Sequence, residues 1–307
     1  MASDVKSRER TAARPPSARG SYALYLVPSA VLFACVIGLP FLMSVGLSFT
    51  RWRGVGDPEF IGLENYRKLL EDDRFWQSFQ NNVVLIIAMA VIPTLIGLVL
   101  AAAIFDFVSK HYGQRPASAL RAAFYLPQVL PVAVAGVVWT WILHPTYGAL
   151  NELLGLVGLE GHDWLGDEST ALFSVGGILV WLQIGYPVVI FMAGLQRVDP
   201  ALYEAAQLDG AGWWRRFRHI TVPQIRPEVF VVLLTCTIAA LKVFGPIYVL
   251  TRGGPGGSTN VPSYFSYQNF FQKAQVGYGS AIATVLTLVI VAVTFAFLRA
   301  QDRGERS

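Results

Sequence analysis

The side chains best suited to chemistry gather in one stretch, Asp199 to Pro227, DPALYEAAQLDGAGWWRRFRHITVPQIRP, a polar and basic island between two long apolar runs. Asp199 is placed to cap a helix whose first position is Pro200, and Asp209-Gly210 supplies a left-handed stop after Leu208. Within that helix Leu202, Ala205, Ala206 and Asp209 recur at i, i+3, i+4 and i+7 and share a face, and the small alanines let another backbone come close. A second short helix is predicted over Gly212 to Ile220, carrying Trp213, Trp214, Phe217 and three arginines, with Pro223 and Pro227 resetting the backbone. Two short amphipathic helices of this kind do docking chemistry rather than catalysis. On spacing alone the partner is either another protein or the lipid surface.

The remaining reactive groups are scattered. Lys242 is charged inside an apolar run, about 20 Å along a helix counted from Val229 at roughly 1.5 Å per residue, where a charge is costly and a functional suspect. It either lines a path or snorkels to an interface. Trp139, Trp141, Trp181, Gln183, Tyr186, Phe244 and Tyr248 offer aromatic platforms with polar partners; the same residues near span ends also fit an interfacial belt. The run RGGPGGS from Arg252 lacks a Lys-Ser or Lys-Thr ending and a preceding strand, so it reads as a turn and not a phosphate loop. His111, His144, His162 and His219 show no zinc spacing, and no G-x-S-x-G elbow is present. Cys35 and Cys236 sit in apolar runs as small hydrophobes.

The elements that position these groups are membrane spans. A chain of 307 residues that is 54% hydrophobic and 14% charged, with mean hydropathy +0.48, is not balanced for water. Its net charge of +4 reflects loop asymmetry rather than nucleic-acid binding. Six spans are predicted: Gly20 to Thr50, Val83 to Phe105, Ala122 to Leu143 (bent or broken by Pro127 and Pro131), Ala171 to Leu195, Val229 to Leu250 and Gln275 to Leu298. Leu63, Tyr66, Leu69 and Leu70 mark a surface helix in the first loop. Most of the 24 Lys and Arg fall in the N-terminal tail, the 106–121 loop, the 199–227 loop and the C-terminus. The segment His144 to Thr170 holds five acids and no Lys or Arg. Both termini and the 199–227 loop are therefore expected to be cytoplasmic. Asp106 is the only acid seen near a span.

The residues Glu204-Ala205-Ala206, then Asp209-Gly210-Ala211, with Phe217, Ile220 and Pro223 behind them, resemble the EAA signature of permease subunits from binding-protein-dependent ABC importers. FIGLENY from Phe60 and YVLTRGGPG from Tyr248 extend the likeness to the carbohydrate-uptake (maltose-type) branch, over roughly residues 22 to 298. The resemblance implies an all-α membrane protein of the ABC importer type I permease fold. Its parts would be a disordered basic tail (1–20), the first span with its external loop (21–78), a permease core (79–298, coupling loop 199–227) and a C-terminal tail (299–307). It implies a bacterial or archaeal cytoplasmic membrane, a second permease subunit forming a heterodimer, two ATPase subunits that bind ATP and Mg, an extracytoplasmic solute-binding protein and a carbohydrate substrate. This chain would hold no cofactor and would not be an enzyme. Leu202, Glu204, Ala205, Ala206, Asp209 and Gly210 would form the ATPase-coupling site. Lys242, Gln183, Tyr186, Phe244 and Tyr248 are the candidates for the substrate pathway. The chain departs from the pattern at Phe244-Gly245-Pro246, where the branch often has Phe-Asp. Two alternatives stay open: an anionic polyol such as a glycerol phosphate as substrate, and an ion-coupled secondary transporter.

Overall fold

The computed structural model describes residues 19–305, with side chains over 25–301. The expected basic tail lies outside the described residues up to position 18. The expected C-terminal tail is helical as far as Glu305, continuing the last span.

Among the described residues four helices are long and apolar enough to cross a membrane: Tyr25–Ser48, Asp73–Tyr112, Ala171–Leu195 and Val276–Gln301. Two further crossings come only from bent pairs, Gln114–Val129 with Val132–Ile142 at 93° and Trp213–Gln224 with Arg226–Leu241 at 71°. The chain divides between Gly46 and Leu47 into two units, so the loop after the first span belongs to the second unit. The described residues of the first unit, 19–46, are helical.

Proline placement explains much of the helix geometry. Five-residue π turns at Ala34–Gly38, Ile87–Val91 and Phe217–Thr221 each end two residues before a proline, Pro40, Pro93 and Pro223. A proline has no N–H to give the carbonyl four residues back, and its ring crowds that carbonyl. Widening the turn relieves both problems, and the N–H groups of Leu39, Ile92 and Val222 bond five residues back, to Ala34, Ile87 and Phe217.

Three expected elements need correction. The span predicted over Ala122 to Leu143 is two helices at nearly a right angle, because Leu130 is held extended (φ −65°, ψ 134°) by the proline after it. Pro127 stays inside the first of them. The span predicted over Val229 to Leu250 ends at Leu241, and a separate helix, Gly245–Leu250, follows with Pro246 in its first turn. Lys242 is thus an exposed residue at a helix break, not a charge within a continuous span. Pro223 does not end the second short helix, which runs to Gln224 before the chain turns at Ile225.

Helices of the second unit pack through glycines. A Cβ at Gly97 would lie 2.6 Å from Pro187 Cβ, and one at Gly136 would lie 2.5 Å from Val249 Cγ1. Close backbone approach is the small-residue packing expected where no hydrophobic force separates helix from lipid. A two-stranded antiparallel ribbon, Thr50–Arg51 with Glu59–Phe60, and the helix Glu64–Glu71 come next in the chain after the first span. Of the residues expected to mark that surface helix, Leu69 is buried while Leu63 and Leu70 are exposed. Buried Asn65 gives its amide hydrogens to the Ser48 and Thr50 carbonyls, and Tyr278 donates to Asp72 at 2.7 Å, tying this loop to the last span.

Asn82, 1% exposed, donates to the Ala240 carbonyl at 3.0 Å, joining the second long helix to Arg226–Leu241 near the break. Asn82→Leu is expected to remove an interhelical bond worth about 0.6–1.7 kcal/mol and lower the thermal unfolding midpoint in detergent. An unchanged midpoint would show that this amide does not hold the helices together.

Candidate functional site

The helix Pro200–Leu208 forms as its sequence dictates. Asp199 is extended (φ −61°, ψ 122°) and accepts from the Ala201 N–H at 2.9 Å. At the other end Gly210 is left-handed (φ 73°), and the N–H groups of Gly210 and Ala211 return to the carbonyls of Gln207 and Ala206. That is the Schellman closure, and only glycine enters it without strain.

One face of this helix is rooted and the other is bare. Tyr203, 4% exposed, points inward and shares a hydrogen bond with Thr221 at 3.1 Å. Burial lifts the Tyr203 phenol above its ordinary range, so it stays neutral as a hydrogen-bonding group. Leu202, Glu204, Ala205 and Asp209 are exposed and Ala206 is half-buried, so the expected docking residues do gather on the outward side. Leu208, absent from the expected set, is 90% exposed. A leucine left bare at the tip of a rigid element is the signal that would have found it.

The segment is fastened at its base. Arg197 pairs with Glu228 across its two stems. Glu228 is thus a second acid at a span end, one residue before the predicted start of its span. The indoles of Trp213 and Trp214 each stack on Phe217 at 5.2 Å, at 15° and 22°. Phe217 is buried in a cluster with Leu195, Ile225 and Ile104. Arg215, Arg218 and His219 are exposed, while Arg216 is half-buried.

The expected pathway residues do not form one group. Phe244 and Tyr248 stack at 5.6 Å and 22°. Tyr264 and Tyr267 join them, the rings of Tyr248 and Tyr267 meeting edge-on at 5.7 Å. The sequence signal for these two was the aromatic run SYFSYQNFF from Ser263. Gln183 instead donates to Cys236 Sγ at 3.2 Å, between the fourth and fifth spans, and Tyr186 packs against the cluster around Phe191 and Leu195. Trp139 and Trp181 meet edge to face at 5.4 Å.

The glycine-rich turn is braced, not open. Asn81 donates to the carbonyls of Gly257 and Asn260, and Thr259 to that of Gly254. Among the described residues no group of three or more His, Cys, Asp or Glu is arranged to hold a metal ion.

Residues 94–307 match the family model of binding-protein-dependent transport system inner membrane components. The chain is 38% identical over 274 residues to the probable ABC transporter permease protein YurN of Bacillus subtilis, covering 88% of this chain and 92% of that protein. It is 34% identical over 278 residues to the sulfoquinovosyl glycerol transport system permease protein SmoG of Agrobacterium fabrum, covering 90% and 88%. It is 31% identical over 277 residues to the trehalose/maltose transport system permease protein MalF of Thermococcus litoralis, covering 90% and 92%. In fold it matches a chain from the crystal structure of a bacterial ABC transporter involved in the import of the acidic polysaccharide alginate. There the TM-score is 0.80 at 23% identity, covering 93% of this chain and 97% of that one.

Proposed function

Because this chain belongs to the family of binding-protein-dependent transport system inner membrane components, we propose that it forms half of a sugar or oligosaccharide pathway driven from outside itself by ATP. It is a permease subunit of an ABC importer, an integral membrane component and not an enzyme. Hydrolysis belongs to two separate ATPase subunits, which bind ATP and Mg; a second permease subunit completes the pathway, and an extracytoplasmic binding protein delivers the solute. The exclusion of basic residues from His144 to Thr170 supports cytoplasmic termini and a cytoplasmic 199–227 loop.

One observation carries this reading: the Pro200–Leu208 helix is locked on its Tyr203 side and bare on its Leu202, Ala205 and Asp209 side. A rigid element with a small-residue outer face fits a cleft in a partner subunit and passes the partner's closure back to the spans. Glu204 supplies polar contact there, Ala205 and Ala206 close packing, and Gly210 the turn. Arg215 and Arg218 serve anionic lipid at the adjoining surface.

The substrate class rests on the names of the relatives and on the ring cluster of Phe244, Tyr248 and Tyr267, whose faces suit the apolar side of a sugar. An anionic polyol is favoured by one feature, the exposed Lys242 beside that cluster in sequence. Uptake by proteoliposomes holding the whole complex decides between them, with binding protein and either a radiolabelled neutral oligosaccharide or glycerol phosphate outside. Neutral-sugar accumulation that requires internal ATP and survives Lys242→Ala within about two-fold is expected, as for an exposed charge. Uptake of the anion only, lost in Lys242→Ala, would replace the sugar reading. Uptake by this chain alone on an ion gradient would replace the ABC mechanism.

A further inference from the structure

Asp106 is an acid in an apolar stretch, four residues before Lys110, and the structure gives it two partners on two different elements. Its side chain is 9% exposed, with one oxygen 2.8 Å from Lys110 Nζ and the other accepting from Trp213 Nε1 at 3.1 Å. Trp213 opens the second short helix of the 199–227 segment, more than a hundred residues away in sequence. Lys110 extends the connection, its ammonium lying 5.1 Å from the centroid of the buried Tyr203 ring in the first short helix. Phe107 meets Trp213 from the same turn, at 6.1 Å. Both short helices are therefore gripped by one turn at the end of the long helix Asp73–Tyr112.

A buried carboxylate is retained only where its charge and lone pairs are met. Here the cation comes from its own helix and the neutral donor from the 199–227 segment, so satisfying Asp106 requires the two elements to stay together. We propose that Asp106 is a positioning residue, a latch that makes the end of the second span and the coupling segment move as one body. ATPase closure then reaches the second span directly through Trp213 and Tyr203, as well as through the fourth and fifth spans to which the segment is joined by chain. The inference rests on the transport reading above and adds a second route of transmission to it.

The test uses the whole transporter in lipid nanodiscs, with ATP, Mg and orthovanadate as the nucleotide probe. Spin labels go on Gln207→Cys, Tyr112→Cys and Leu298→Cys in pairs, in a Cys35→Ser, Cys236→Ser background. In the unlatched controls Asp106→Asn removes the charge facing Lys110, and Trp213→Phe removes the donor while keeping the stack on Phe217. With the latch intact, the 112–207 distance is expected to hold constant on nucleotide trapping while 207–298 and 112–298 both shift. In either control the 207–298 shift persists, nucleotide-free distances are unchanged, and the equilibrium constant for the switched 112–298 population falls roughly two- to thirty-fold. A merely structural role would move the nucleotide-free distances or leave the nucleotide response whole. A 112–207 distance that changes on trapping in the latched protein overturns the proposal even if the controls fold poorly, as does a full 112–298 response in both controls. Absence of any 207–298 shift in the latched protein would instead overturn the transport reading, and the latch with it.

Discussion

Gly185→Leu is expected to abolish accumulation of folded protein. A Cβ at Gly185 would lie 2.5 Å from Tyr125 Cα and closer still to the Phe124 carbonyl oxygen, so the obstacle is the backbone of Gln114–Val129 and not a side chain that can turn away. Two residues on, Pro187 fills the notch at Gly97 on the second long helix. The Gly185–Leu195 helix is gripped from both sides and cannot retreat. Overpacking of this kind costs about 3 kcal/mol at the upper end of its usual range, a large share of the roughly 5–15 kcal/mol a folded protein has in total. Fluorescence-detected size exclusion of a tagged chain in mild detergent reads the outcome. Gly177→Ala is the control, because nothing lies within 4 Å of a Cβ there in the same span. A monodisperse Gly185→Leu peak at the control's height would show that the close approach is not structural.

Ala205→Trp should do the opposite, leaving the chain folded and silencing transport. Ala205 is exposed, and exposed substitutions shift stability by only about 0.5 kcal/mol. If the outer face of Pro200–Leu208 is a partner's docking surface, an indole there blocks close seating. Loss of a central contact of about 2 kcal/mol corresponds to roughly 30-fold weaker docking. The expected result is an unchanged elution profile, loss of the ATPase subunits on affinity purification and loss of ATP-driven uptake. Leu208→Ala tests the residue that sequence spacing did not single out, and a smaller loss in the same direction is expected. Full retention of the ATPase with Ala205→Trp would mean that the bare face serves something else.

The two substitutions also divide the molecule by how well its sequence reports it. The Pro200–Leu208 helix was legible to the residue: the Asp199 cap, the Pro200 start and the Gly210 stop are local devices whose partners lie within five residues. The long runs were legible as membrane segments because twenty or so apolar residues admit little else. Their interruptions were less so. Pro127 and Pro131 were both suspects in one run, but the bend falls at Leu130-Pro131 while Pro127 is accommodated within its helix. The span that hydropathy carries through to Leu250 stops at Leu241, and Pro246 sits in the first turn of the helix that follows.

The candidate residues outside the 199–227 segment were less legible still. Gln183, Tyr186 and the ring pair Phe244–Tyr248 looked like one lining from composition, yet Gln183 bonds to Cys236 and Tyr186 packs in a separate cluster. Asp106 stood out as an acid beside a span, without any indication that Trp213 and Tyr203 complete its surroundings.

The residues alone determined that this chain lives in a membrane, that its loop cations are spread unevenly along the chain, and that a capped small-residue helix sits between the fourth and fifth apolar runs. Those properties depend on composition and on contacts a few residues apart, and such contacts are written consecutively in the chain. Tertiary structure decided which prolines bend their helices, which glycines are contact points, and that one turn of the second span holds the 199–227 segment. Each of these depends on which side chain arrives from a hundred residues away to fill a notch or meet a buried charge, and the order of residues does not state that distance.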